Sequence, residues 1–165
     1  MTIKDVNDHK REERRQEGAI MEESYYYRTE VQWTGERHGD LSAPVLPNLK
    51  VDAPPEFKGH EGVWTPEHLF VASVNSCFMT TFLAIAENSK LKFVSFNVDA
   101  KGKLEKLAGQ GFMMTEIILR PKLILKNARD AERALRILEK AEKHCLISNS
   151  IKTETRLEPD IKWAG

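Results

Sequence analysis

"WTPEHLFVASVNSCFMTTFLAIAEN", residues Trp64–Asn88, decides how the rest of the chain must fold. Thr65 is a strong helix N-cap, Pro66 suits the first turn, and Glu67 places negative charge at the positive end of the helix dipole. Asn88 and Ser89 supply the stop. The stretch therefore reads as one long helix. Leu69 to Ala86 approaches the length of a membrane span, but Ser73, Asn75, Ser76, Thr80 and Thr81 interrupt it. That mixture fits a helix buried in a globular core better than one in lipid. Its middle carries Cys77, one of only two cysteines.

Working outward, "FVSFNVDAKGKLEKL" and "GFMMTEIILRPKLIL" alternate as two antiparallel strands joined by "AGQ". "NARDAERALRILEKAEKHC" is an amphipathic helix, with Ala131, Ala134, Leu135, Leu138 and Ala141 at helical spacing and Asn127 placed to cap it. It ends near His144 and Cys145, and "SIKTETRLEP" reads as a last strand. Upstream, "SYYYRTEVQW" is rich in strand-forming residues and "TGERHGDL" holds the glycines of a hairpin turn. Leu41 to Val51 is broken by Pro44 and Pro47 into one or two short strands, and "DAPPEFKGHEGVW" is a loop. The order is strands, long helix, strands, helix, strand. It describes an α+β domain with a mostly antiparallel sheet, a long buried central helix and a second amphipathic helix. Residues 1–18, densely charged, form an arm, and 19–165 form the domain.

The 165 residues suit one domain with a substantial core. Lys plus Arg number 25 and Asp plus Glu number 25, so the net charge is zero. This argues against nucleic-acid and anionic-membrane partners, which are bound through clustered positive charge. No secretory signal is evident, and the expected location is the cytoplasm. Cysteines there are free thiols or a catalytic pair more often than structural bridges. The five histidines and two cysteines form no CxxC or HxxxH pair. No metal site and no bound cofactor are expected, and no glycine-rich phosphate loop follows a strand. Taken alone, either cysteine is better explained as a small core residue.

The stretch "TPEHLFVASVNSCF" resembles the signature of the OsmC/Ohr family, the osmotically inducible and organic hydroperoxide resistance proteins. Pro66-Glu67, a leucine and small residues precede Cys77-Phe78, with the family spacing from Glu67 to Cys77. The second signature, usually Cys-Pro-x-Ser, is matched by "CLISNS", in which Leu146 replaces the proline and Ser148 is kept. "PPEFKGHEG" looks like the loop that precedes the family's central helix. The resemblance runs from about Ser24 to the C-terminus.

It implies a cysteine peroxidase that reduces organic hydroperoxides and is recycled by an external dithiol. Cys77 would be peroxidatic, Cys145 resolving, and Glu67 the family glutamate. The family arginine would be Arg37 in "GERHGDL", or its role would fall to Lys58. Family members are intertwined homodimers with interface active sites. Rival readings are a non-catalytic domain binding an apolar ligand and a thiol-dependent transferase.

Elementary chemistry adds constraints. The thiolate is the nucleophile, the helix dipole has faded three turns in, and burial opposes ionisation. A cation from elsewhere would help, and a carboxylate would orient it. Ten helical residues rise about 15 Å. Glu67 and Cys77 of one helix therefore share an arginine only if it spans obliquely or if the partners come from two chains. Phe57, Phe78 and Met79 are candidates for an apolar pocket, with core packing as the plain alternative. His144 stands beside Cys145 as a possible tuning group or a simple helix-end residue.

Overall fold

A computed structural model describes residues 23–164; the charged arm at 1–18 lies outside the described residues. The elements form two sheets and two helices, an α+β arrangement. In the first sheet, β1 (Glu30–Gly35), β2 (His38–Ser42) and β3 (Leu49–Val51) pair antiparallel in sequence order. A short 3-10 turn at Pro55–Phe57 leads to α1 (Pro66–Asn88). Then come β4 (Phe93–Leu107), β5 (Gly111–Leu125), α2 (Ala131–Lys143), β6 (Glu154–Leu157) and β7 (Asp160–Trp163).

The expected capping of α1 is present: the Thr65 side chain accepts from the His68 amide at 3.3 Å. One face of α1 presents Val74, Phe78, Phe82 and Ala86, spaced by four, and all are buried. They meet Ile117, Leu119, Leu123 and Leu125, which alternate along β5 and are buried too. Phe82 stacks on Phe96 of β4 with ring centroids 4.0 Å apart. From the other side α2 contributes Ala134, Ile137, Leu138 and Ala141.

Four details differ from the sequence reading. Of "SYYYRTEVQW", only the part from Glu30 onward is strand, and Tyr25–Tyr27 are exposed. The Asn127 side chain makes no cap bond; a 3-10 turn at Ala128–Asp130 precedes α2 instead. The terminal segment forms two strands, and both pair parallel with β5, not antiparallel. The reason is the crossover: α2 carries the chain back to the end of the sheet where β5 began. Pro121, which has no N–H to offer, lies opposite the break between β6 and β7.

A further expectation concerns the burial of α1. Among the described residues it is the one helix long and apolar enough to cross a membrane, yet only 22% of its most apolar window is buried within a single chain. Met79 and Leu83 stand exposed on its outer face. The first sheet is also bare: every residue of β1 except Gly35 is exposed, including Val31 and Trp33.

Candidate functional site

The long helix and the segment after α2 bring the two cysteines together. Cys77 sits on α1, half-buried, and Cys145 follows the C-cap residue His144 of α2 at 0% exposure. After Cys145 the chain turns tightly, with the Asn149 amide donating to the Cys145 carbonyl at 3.1 Å and a 3-10 turn at Ser148–Ser150. This turn aims backbone N–H groups at the helix. The Ile147 amide donates to Cys77 Sγ at 3.5 Å.

The two thiols are driven in opposite directions. Burial pushes Cys77 up, but the Ile147 amide, the Cys145 thiol, the Leu146 amide and the Thr81 hydroxyl act against it, and the net result lies below the ordinary thiol value. Thr81 contributes least, since its single proton also reaches the Cys77 carbonyl at 2.8 Å. Burial likewise pushes Cys145 up, and contact with the charged form of Cys77 pushes it further. The Ser148 side chain and amide oppose this without reversing it. The Ile147 amide thus donates to Cys77, and the nearby Cys145 thiol and Leu146 amide also favour its charged form, a surrounding suited to an anion.

The cation expected from the sequence is not among these contributors. Arg37 lies in the β1–β2 turn, exposed, with Nη1 donating to the carbonyl of Phe57. Lys58 is exposed at the end of the 3-10 turn, in the left-handed conformation with φ 66°. Within one chain, peptide amides rather than a side-chain cation favour the charged form of Cys77. They were missed because an amide carries no residue identity. The replacement of proline by Leu146 was the available signal, since a proline there would have no N–H to give.

Glu67 is not brought to Cys77 within one chain. It lines a cavity of about 740 Å³ between the pre-helix loop, α1 and the β4–β5 hairpin, together with Phe57, Trp64, Val71, Phe112 and Met114. Its Oε2 is buried without a hydrogen-bond partner. The three residues considered for an apolar pocket fall in three places. Phe57 lines this cavity and packs edge-on to Phe112 at 5.0 Å. Phe78 is core, and Met79 lines a separate groove with Phe96 and Val98. His144 lines a groove of about 410 Å³ between the helices, with Thr81 and Lys140.

Comparison with known proteins agrees with this architecture. The family model described as OsmC-like protein matches residues 59–160. An uncharacterised protein of Bacillus subtilis, YmaD, is 27% identical over 148 residues, covering 86% of this chain and 97% of that protein. An OsmC-like protein of unknown function from Vibrio cholerae has a structure similar at a TM-score of 0.76 and 23% identity, covering 82% of this chain and 99% of the other. An organic hydroperoxide resistance protein from Elizabethkingia anophelis is similar at a TM-score of 0.68 and 23% identity, with 87% and 100% coverage.

Proposed function

Because the chain belongs to the OsmC-like protein family, we propose that it is a thiol peroxidase that reduces organic hydroperoxides to alcohols, with Cys77 as the peroxidatic and Cys145 as the resolving thiol. The observation that carries this reading is the opposed ionisation of two adjacent thiols, Cys77 lowered and Cys145 raised. Such a pair separates the roles of first nucleophile and second.

The Cys77 thiolate attacks the terminal oxygen of the hydroperoxide. The O–O bond breaks, two electrons pass from sulfur to the leaving alkoxide, and a proton makes it an alcohol. Cys77 is now a sulfenic acid and has lost the negative charge that kept Cys145 protonated. Cys145 then loses its proton and attacks the Cys77 sulfur. An S–S bond forms, the S–O bond breaks, and hydroxide leaves as water after taking up a proton. An external dithiol reduces the bridge and is itself oxidised to a disulfide.

Two copies complete the site. The bare outer face of α1, the coreless first sheet and the orphaned Glu67 oxygen each call for a partner surface. An intertwined homodimer supplies it, with Arg37 of one copy carried towards Cys77 of the other and Glu67 orienting the guanidinium. The test is intact mass after one equivalent of an organic hydroperoxide. Wild type should lose two hydrogens, and Cys145→Ser should gain one oxygen at Cys77. No mass change in either protein refutes the peroxidase reading.

A further inference from the structure

Apart from the thiols, the described residues contain one other concentration of reactive side chains, and it is held by a buried carboxylate. Asp52 follows β3 and is 3% exposed. Its Oδ2 accepts from His38 Nδ1 at 3.0 Å and from His60 Nδ1 at 2.9 Å. The His60 amide also donates to Oδ2, at 3.0 Å, and the Ala53 amide donates to Oδ1, at 2.7 Å. The two imidazoles stack, with centroids 4.6 Å apart and planes 25° from parallel.

This geometry dictates the tautomers. A carboxylate that accepts from Nδ1 of each ring holds both as Nδ1–H, so each Nε2 keeps a lone pair. Glu36, in the preceding turn, brings its Oε2 to 4.0 Å from His38 Nε2. One donor atom from each of Glu36, His38 and His60 lies within 4.8 Å of the other two. Pinning a loop needs one histidine on one carboxylate. Two imidazoles anchored on one buried carboxylate, with a glutamate oxygen beside them, supply the donor atoms of a ligand set once the rings tilt so that their free nitrogens converge.

We propose that Glu36, His38 and His60 bind a divalent transition-metal ion, zinc above all, with Asp52 as the outer carboxylate that orients both imidazoles. Two neutral imidazoles and a carboxylate are a recognised donor set for zinc, with a water completing four-coordination. A carboxylate on the far nitrogen of a ligating histidine fixes its orientation and raises its basicity. Zinc–ligand bonds of about 2.0–2.1 Å bring tetrahedral donors to roughly 3.3 Å from one another. From separations of up to 4.8 Å the set must therefore close by up to about 1.5 Å and the stacked rings must tilt towards one another, movements for which the exposed side chains of Glu36 and His60 leave room. The sequence shows no metal motif because the ligands are scattered at 36, 38 and 60 and meet only when β2 pairs with β3.

The bound ion would tie the β1–β2 turn to the loop that enters α1. It would fix the backbone on both sides of Arg37, whose guanidinium already holds that loop through Phe57. The proposal does not depend on the peroxidase reading, since neither thiol takes part.

The test uses the full chain, tag removed, stripped with a chelator and kept reduced. Zinc is titrated calorimetrically, and cobalt(II) serves as the spectroscopic probe. The expected result is one zinc per chain, and cobalt bands of low-coordinate nitrogen and oxygen ligation without thiolate charge transfer. Asp52→Asn should weaken zinc binding about 10- to 100-fold, the usual effect of losing an outer-shell partner. His60→Gln should weaken it at least as much. Glu36→Gln, at an exposed position that tolerates substitution, should weaken it with an unchanged circular dichroism spectrum. Absence of saturable zinc binding, wild-type affinity in both Glu36→Gln and His60→Gln, or thiolate-to-cobalt bands would each overturn the proposal.

Discussion

Replacing Leu146 by proline removes one N–H that favours the Cys77 thiolate. The Leu146 side chain is 68% exposed, so its loss leaves no cavity. The Leu146 amide stands behind the Ile147 amide and the Cys145 thiol among the groups that favour the Cys77 thiolate. A hydrogen bond to a charged group contributes about 1.5–3 kcal/mol. Sulfur is a weak acceptor, and the stronger Ile147 contact is already long at 3.5 Å, so the Leu146 share is about 1 kcal/mol. That corresponds to roughly a five-fold drop in the ionisation constant of Cys77. The assay is the rate of Cys77 alkylation by iodoacetamide against pH, followed by intact mass. Leu146→Pro should alkylate about five-fold more slowly on the acid side of the profile and equally fast once the thiol is fully ionised. Leu146→Ala keeps the amide and should match wild type. Because proline also disfavours helical backbone at Cys145, thermal melts of both variants are needed alongside. Superimposable profiles for the two variants, both folded, would refute the idea that peptide amides set the reactivity of Cys77.

The pH dependence has a definite sign: wild-type Cys77 should reach its alkylation plateau at lower pH than a free cysteine, and Cys145 only at higher pH. Cys77→Ser removes a charge that raises Cys145, so the Cys145 profile should move to lower pH, as measured by site-resolved alkylation. Arg37→Ala should slow the peroxide step roughly thirty-fold to several hundred-fold, the equivalent of about 2–4 kcal/mol for a positioned donor. Wild type should sediment as a dimer; a fully active monomer would contradict the shared site. Phe82→Ala, at a fully buried position stacked on Phe96, should cost about 3–5 kcal/mol in urea unfolding. Gly59→Ala should destabilise the pre-helix loop, because a Cβ there would lie 1.6 Å from the Ala53 carbonyl oxygen; an unchanged melting temperature would argue against that approach.

The elements that depend on local chemistry were legible. Thr65, Pro66 and Glu67 marked the start of α1, and the alternation of "FVSFNVDAKGKLEKL" and "GFMMTEIILRPKLIL" marked β4 and β5 to their ends. What depends on distant partners was not. β7 is four residues long and gains its strand character from the edge of β5, which no local pattern announces. The aromatic run at Tyr25–Tyr27 has high strand propensity but no neighbour to pair with in one chain. The two cysteine motifs pointed to Cys77 and Cys145, and the fold sets them together. The donors around Cys77 are main-chain groups, and the His38–Asp52–His60 cluster spans three segments. Neither leaves a side-chain spacing to read.

The contact between Cys77 and Cys145 joins the middle of α1 to the far end of α2, across most of the β4–β5 hairpin. A covalent link there would close a loop of roughly 70 residues, and the loss of disorder in the unfolded chain would be worth about 4 kcal/mol before any strain is subtracted. Oxidation would then do more than store two electrons. It would act as a rivet through the hydrophobic centre of the domain, so that oxidised and reduced forms differ in rigidity as well as chemistry. A reductant working on the folded protein would have to overcome that added tightness, and a melting curve alone would reveal which form a sample contains.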